Sequence, residues 1–307
     1  MSNETEDTEL ETHKKTDDTE FAEHKAKRKE KVWDGEWSNS KLNTAEECLY
    51  KYHHVYVLGN ALEAPYFTLG SQVHSVIEKC LKNGIRDALE VRNLMDLSKN
   101  LDPVAYTFIP YIITFLAKID KLEAERDFKF VIEERFGITK GLEKTSFFGK
   151  DLFLRGIFDM WAYDPKEKML VIIDHKTSKS MKKEAELEQD RQLLMYIWIL
   201  AKANNIEWER AHIAHNYIRQ GKLVWAVVYP EELEIFEKDL MKFVERITLR
   251  VREANAAGNW PREKSWKCRF CPMKLDCEEV IEPETFEESD IENVPELKAA
   301  EGEDDGG

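Results

Sequence analysis

The chain has 307 residues, 42% hydrophobic and 34% charged, which suits one large domain or two small ones with a sizeable core and excludes a fibrous or membrane-embedded class. Its formal charge of −15 is concentrated at the ends: residues 278–307 hold 13 acidic side chains against Lys298 alone, and residues 1–30 are net −4. Residues 31–277 are left near neutral, so an acidic total does not exclude nucleic acid, because local clusters of Lys and Arg set the field a phosphate meets.

In chain order, residues 1–30 and 278–307 read as disordered charged tails, poor in the apolar residues that offset ordering entropy. The opening MSNETEDTEL has no hydrophobic leader. The longest apolar run, Val104–Ala117, is interrupted by Pro110 and is shorter than the roughly 18 residues of a membrane span. We therefore expect a cytoplasmic protein with no membrane contact.

Within residues 31–277, Ser38 and Ser40 offer caps for a helix that runs toward Tyr56 and carries Cys48. A second helix starts near Thr68, with Val73, Val76, Ile77, Cys80 and Leu81 on one face and Gly84 as its stop. Residues 104–127 read as further helix. The pattern then changes to strand-like runs from Phe128, Leu152 and Met169, three short strands in succession that point to a meander. Helical spacing returns over 184–204, with Leu187, Leu194, Ile197 and Trp198 for a buried face. A strand pair follows over 211–217 and 223–229, then a helix over 231–257 and a Cys-rich end. The expected fold class is α+β, a central mixed sheet flanked by helices.

Asp159 and Asp174 lie on two runs joined by a turn containing Asp164-Pro165. If that turn is centred between Lys166 and Glu167, the two aspartates oppose one another across a hairpin, close enough to share a divalent ion. Asp174 and Lys176 then project from one face while His175 points away. Both acids follow apolar runs, and buried acids need partners. A hard cation, Mg or Mn, would relieve their repulsion, polarise a phosphodiester and lower the pKa of an attacking water, with Lys176 orienting that water.

Gly156-Ile-Phe-Asp159 followed by Ile173-Asp174-His175-Lys176-Thr177 resembles the core of the PD-(D/E)XK nuclease superfamily, in its RecB-like branch. Gly70-x3-His74 resembles that branch's helical histidine motif, Glu134-x-Phe136 its acidic position on the preceding strand, with Glu133 an equal alternative, and Gln192-x3-Tyr196 its Q-x3-Y motif. The resemblance implies a restriction-endonuclease-like fold. It implies catalytic roles for Asp159, Asp174, Lys176 and Glu134, and metal ligation by His74, Asp159, Asp174 and the backbone carbonyl of His175. Gln192 and Tyr196 would position DNA.

Cys268-x2-Cys271-x5-Cys277 gathers three thiols, and Cys48 upstream can supply a fourth, while Cys80 reads as core. Spacing alone admits zinc or iron–sulfur. The resemblance to the iron–sulfur branch, which includes AddB nuclease domains and CRISPR-adaptation exonucleases with one Cys before the nuclease motifs and three after, favours a structural 4Fe-4S cluster, with zinc as the alternative. Residues 31–127 would then form a helical part, 128–257 the nuclease core and 258–277 a knuckle closing onto Cys48.

The expected activity is a metal-dependent deoxyribonuclease serving recombination, repair or processing, an exonuclease favouring single strands. No G-x4-G-K-[S/T] occurs, so any motor would be a separate helicase or recombination protein. The competing expectation is a catalytically weak module that holds DNA ends or docks a recombination complex.

Overall fold

The computed structural model describes residues 36–60, 65–98, 101–126, 128–274 and 277; the expected tails lie outside the described residues. The chain divides into two compact units, Met1–Glu263 and Lys264–Gly307. The first contains a six-stranded sheet in the order β2-β1-β3-β4-β5-β6, formed by β1 (Val131–Ile138), β2 (Lys144–Thr145), β3 (Leu154–Asp164), β4 (Met169–Lys176), β5 (Arg210–Tyr217) and β6 (Lys222–Val228). Only β4 and β5 are parallel, and the other pairs are antiparallel, so the sheet is mixed and the fold α+β.

Eight helices flank it among the described residues: α1 (Asn39–Glu47), α2 (Leu49–Tyr52), α3 (Pro65–Lys82), α4 (Ala88–Asp96), α5 (Ile109–Glu125), α6 (Glu184–Leu187), α7 (Arg191–Ala203) and α8 (Pro230–Ala257). The first expected helix is split. Ser38 caps α1 as read, but Cys48 is extended at φ −166, so it separates α1 from α2 instead of riding inside one helix. The sequence reading passed over α4, although Asp87 accepts from the Leu89 and Glu90 N–H groups as a cap should, and Val91 and Met95 share its buried face. Pro110 does not break α5, because it falls in the first turn, where its missing N–H has no partner to lose.

Two apolar cores form on the two faces of the sheet. On one face α7 and α8, with Leu42 and Ala45 of α1, pack on Leu170, Ile172, Phe136 and Phe158. On the other, Val73, Val76 and Ile77 of α3 and Ile112, Phe115 and Leu116 of α5 pack on Val171, Ile173, Met160 and Ala162. α3 approaches the end of β4 closely at Gly70, where a Cβ would stand 3.2 Å from Thr177 Oγ1. Gly70 thereby lets the helix bring His74 to the strand ends.

Candidate active site

The hairpin turn fixes the register of β3 and β4 as expected, with Met160 opposite Ile173 and Asp164 opposite Met169. The ladder stops at Met160 and Ile173, one position before Asp159 and Asp174. Beyond that point the strands part. Trp37 takes the place beside β3, bonding Phe153 O through its N–H and accepting from Arg155 N, both at 2.8 Å. The parting leaves backbone groups that need partners. The His175 N–H donates to Asp159 Oδ2 at 2.6 Å, and the Tyr196 hydroxyl donates to Ile157 O at 2.8 Å.

Side-chain alternation also changes phase at this fork. Phe136, Ile138, Leu154 and Phe158 face α7, whereas Ile132, Met160 and Ala162, of the same parity, face α3 and α5. The break on β1 falls at Glu133, whose φ of +53 is left-handed, a region a residue with a Cβ enters only at a cost. The β1–β3 register, Ile132 opposite Met160 and Glu134 opposite Phe158, puts Glu133 opposite Asp159.

His74, Glu133 and Asp159 consequently converge, each offering one ligand atom within 4.8 Å of the others. His74 Nδ1 lies 3.3 Å from Asp159 Oδ1. Glu134, the residue assigned to the acidic position, is turned the other way: its carboxylate accepts from Trp161 Nε1 at 2.6 Å and from Lys144 Nζ at 3.4 Å. The phase break explains the difference, because alternation keeps Glu134 with Phe136 on the α7 face and turns Glu133 toward His74 and Asp159.

Asp174 is buried and belongs to a neighbouring set. Lys176 Nζ stands 2.6 Å from its Oδ2, and Gln192 Nε2 donates to its Oδ1 at 2.8 Å. Gln192 also accepts from Lys176 Nζ at 3.1 Å and donates to Tyr196 Oη at 2.9 Å. One amide thus holds the acid, the ammonium and the phenol together, as the i, i+4 spacing on α7 allows. The His175 ring points away as expected, edge-on to Phe115 and His74, with Asn216 Nδ2 at 3.1 Å from its Nδ1.

The electrostatics are those of a site short of positive charge. Burial, then the charges of Asp159 and Glu78, push the Glu133 carboxyl up to about 7. Burial raises the Asp174 carboxyl too, although Lys176 opposes it. Burial would raise Asp159 as well, but the His74 hydrogen bond and charge, and the His175 N–H, hold it low. His74 moves up in return: burial alone would lower it, and the carboxylates overcome that. Two carboxyls driven toward their neutral forms beside a third that stays ionised form a donor set that a hard divalent cation satisfies.

Behind Asp174 the sequence reading missed His215, paired with it in the parallel β4–β5 register and fully buried. Its Nδ1 lies 3.1 Å from Tyr217 Oη, and its Nε2 lies 4.0 Å from Asp174 Oδ2 and 3.8 Å from Asp190 Oδ2. Burial, helped by the Lys176 charge, pushes this imidazole down to about 4, so it is neutral near pH 7. Only a known parallel register would have shown it, since sequence places it in a different strand pair.

A cleft of about 590 Å³ opens over the fork, lined by His74, Asp159, Asp174, Lys176, Gln192 and Tyr196. The family model of the PD-(D/E)XK nuclease superfamily matches residues 36–278. The chain belongs to the PD-(D/E)XK nuclease superfamily. Among solved structures, a candidate exonuclease from Eubacterium rectale matches at 16% identity and a TM-score of 0.47, covering 80% of this chain and 94% of its own. The protein SSO0001 matches at 15% identity and a TM-score of 0.32, covering 69% and 95%. No curated protein sequence matches the chain. Divalent metal and DNA are what membership of this nuclease superfamily implies, and the convergent donors fit the metal. No helix of the described residues is long and apolar enough to cross a membrane.

In the second unit, Cys268 lies in a single turn, Trp266–Phe270, and Cys271 follows it, its N–H bonded to Cys268 O at 3.1 Å. Cys268 Sγ accepts from the Ser265 N–H at 3.3 Å. Cys48, Cys268, Cys271 and Cys277 are all partly exposed. Cys80 is buried on α3 as expected, and burial pushes its thiol up to about 11.

Proposed function

We propose that the chain is a metal-dependent deoxyribonuclease, an exonuclease favouring single strands, with its chemistry at the β3–β4 fork. The observation that carries this reading is the convergence of His74, Glu133 and Asp159 beside the Asp174–Lys176–Gln192 set, with His74, Asp159, Asp174, Lys176 and Gln192 lining one cleft. His74, Asp159 and Asp174, with the His175 carbonyl, would hold Mg or Mn, and Glu133 joins them in the place first given to Glu134. When bound, the cation supplies polarisation of the phosphodiester and an attacking water of lowered pKa. Lys176, kept charged by Asp174 against the cost of burial, donates a hydrogen bond to that water or to the developing oxyanion. Gln192 holds both ends of that ion pair, and Tyr196, fixed on Ile157 O, closes the floor of the cleft. Tyr196 stays a neutral donor, because burial and nearby Asp174 push its hydroxyl well up.

Cys48, Cys268, Cys271 and Cys277 are proposed as the ligands of a structural 4Fe-4S cluster; the exposure that separates them from Cys80 and the close spacing of Cys268, Cys271 and Cys277 support it. Anaerobically purified protein should be brown and contain iron and acid-labile sulfide in equal amounts. Colourless protein with one zinc would overturn the cluster and leave the nuclease reading standing.

End-labelled single-stranded and duplex DNA incubated with Mn tests the activity. Digestion from one end of the single strand, abolished by Asp174→Ala, supports it. A wild-type protein that binds these strands but cuts neither in Mg nor in Mn would instead be the end-binding module.

A further inference from the structure

The cleft extends past the fork to a wall that no catalytic role uses. It is formed by Phe147, Phe148 and Arg155, with Ser38 and Ser40 at the start of α1 opposite. Arg155, Ile157 and Asp159 alternate on one face of β3, and four residues of strand span roughly 13 Å. Arg155 is therefore too far from Asp159 to share the phosphate cut there, but it faces the next stretch of the same chain. It is 6% exposed, its Nη1 donates to Phe147 O at 3.3 Å, and its carbon lies 5.0 Å from the Phe147 ring centre and 5.5 Å from that of Phe148. The two rings meet edge to face at 4.9 Å, which leaves half-buried aromatic surface toward the cleft. Ile157, between Arg155 and Asp159, is 37% exposed although apolar.

We propose that this wall is a binding subsite for an unpaired nucleotide flanking the scissile one: Phe148 stacks on its base and Arg155 receives its phosphate. Aromatic faces combined with a cation are how proteins hold single strands without reading sequence. A base inside a duplex is already stacked on both sides and cannot present a face to Phe148. The subsite rests on the nuclease reading for its neighbour, the scissile phosphate, but its test does not require cutting.

The experiment measures binding by fluorescence anisotropy, with calcium replacing magnesium, using a single-stranded oligonucleotide and versions carrying one abasic site at successive positions. Phe148→Ala is expected to weaken binding roughly 5-fold to 150-fold, the range for losing one stacked base. Phe148→Trp should restore it. In wild type, one abasic position should cost a similar factor, and that penalty should vanish in Phe148→Ala, since ring and base are then one interaction counted once. Equal melting temperatures show whether Phe148→Ala is folded; Phe148→Leu, which keeps the bulk without the ring, should lose binding in the same way. Wild-type binding in Phe148→Ala, an abasic penalty unchanged by it, or no single-strand binding by wild type would overturn the subsite. Protein that binds as described but never cuts in Mn would overturn the nuclease reading alone.

Discussion

On the α7 face of the sheet, Gln192 and Tyr196 reach the fork through hydrogen bonds of 2.8 Å to Asp174 and the Ile157 carbonyl, and Asp174 is buried there. On the α3 face, His74, Glu133 and Asp159 converge but stay partly exposed, and two carboxyls are held together by one imidazole and one backbone N–H. The first face is complete as it stands. The second is organised around charge that the protein itself does not provide. Preorganisation on one side lets the other present a strained, electron-rich donor set without collapse, a division expected of a metal site supported by a fixed outer shell.

Breaking the donor side should have the largest effect. Asp159→Asn removes a charge from the donor set and leaves His74 at most a neutral amide oxygen, and should lower Mn-dependent cutting by roughly 10³-fold, the several kcal/mol a metal contributes to the transition state. The thermal midpoint without metal should fall at neutral pH, because the His74 and His175 contacts that hold the Asp159 carboxyl low make its charge a net stabilising one. Cutting at more than a tenth of the wild-type rate would show that the cation is held elsewhere.

The comparison sharpens at Glu133 and Glu134. Mn at about 100 times its dissociation constant should stabilise the wild type by about 2.7 kcal/mol. Glu133→Gln should reduce that gain, while Glu134→Gln should leave it and lose only the ion pair with Lys144, its amide oxygen still accepting from Trp161. The reverse order would restore the role to Glu134. Part of the site was legible from periodicity: the β3–β4 register followed from the position of one turn, and Asp174 and Lys176 share a face as alternation implies, whereas Gln192 and Tyr196, found beside them, were pointed out only by the family resemblance. Between Glu133 and Glu134 the sequence could not choose, because a period of two assumes an unbroken strand, and the φ of +53 that resets the phase has no marker such as Gly or Asn. His215 was hidden for another reason, since parallel pairing through a crossover helix joins residues that no local pattern relates.

On the complete face the effects should be graded and smaller. Gln192→Ala removes the amide that bridges Asp174, Lys176 and Tyr196 and should cost roughly 10-fold to 100-fold in kcat, as loss of an outer-shell partner does, with KM for DNA nearly unchanged. A fall confined to KM would make Gln192 a DNA contact instead.

The smallest effect belongs to the residue that aims α7. Asp190 caps the helix, accepting from Gln192 N at 3.0 Å and Leu193 N at 3.1 Å, and Lys182 Nζ lies 2.6 Å from its other oxygen. Burial would raise this carboxyl, but the Lys182 hydrogen bond and charge bring it below its ordinary value. A depressed folded pKa means stability that is fully present above the unfolded value near 3.9 and is lost as pH falls toward the folded one. Asp190→Ala should therefore cost about 1 kcal/mol at pH 7 in urea melts, the ordinary value of a helix cap, and less at acid pH, where wild type loses the same contribution. Because the cap sits one residue from Arg191 and two from Gln192, the variant should also loosen Gln192 and lower kcat. An unchanged melt with lowered kcat would mean that Asp190 acts on the site through His215, 3.8 Å away, and not through the helix.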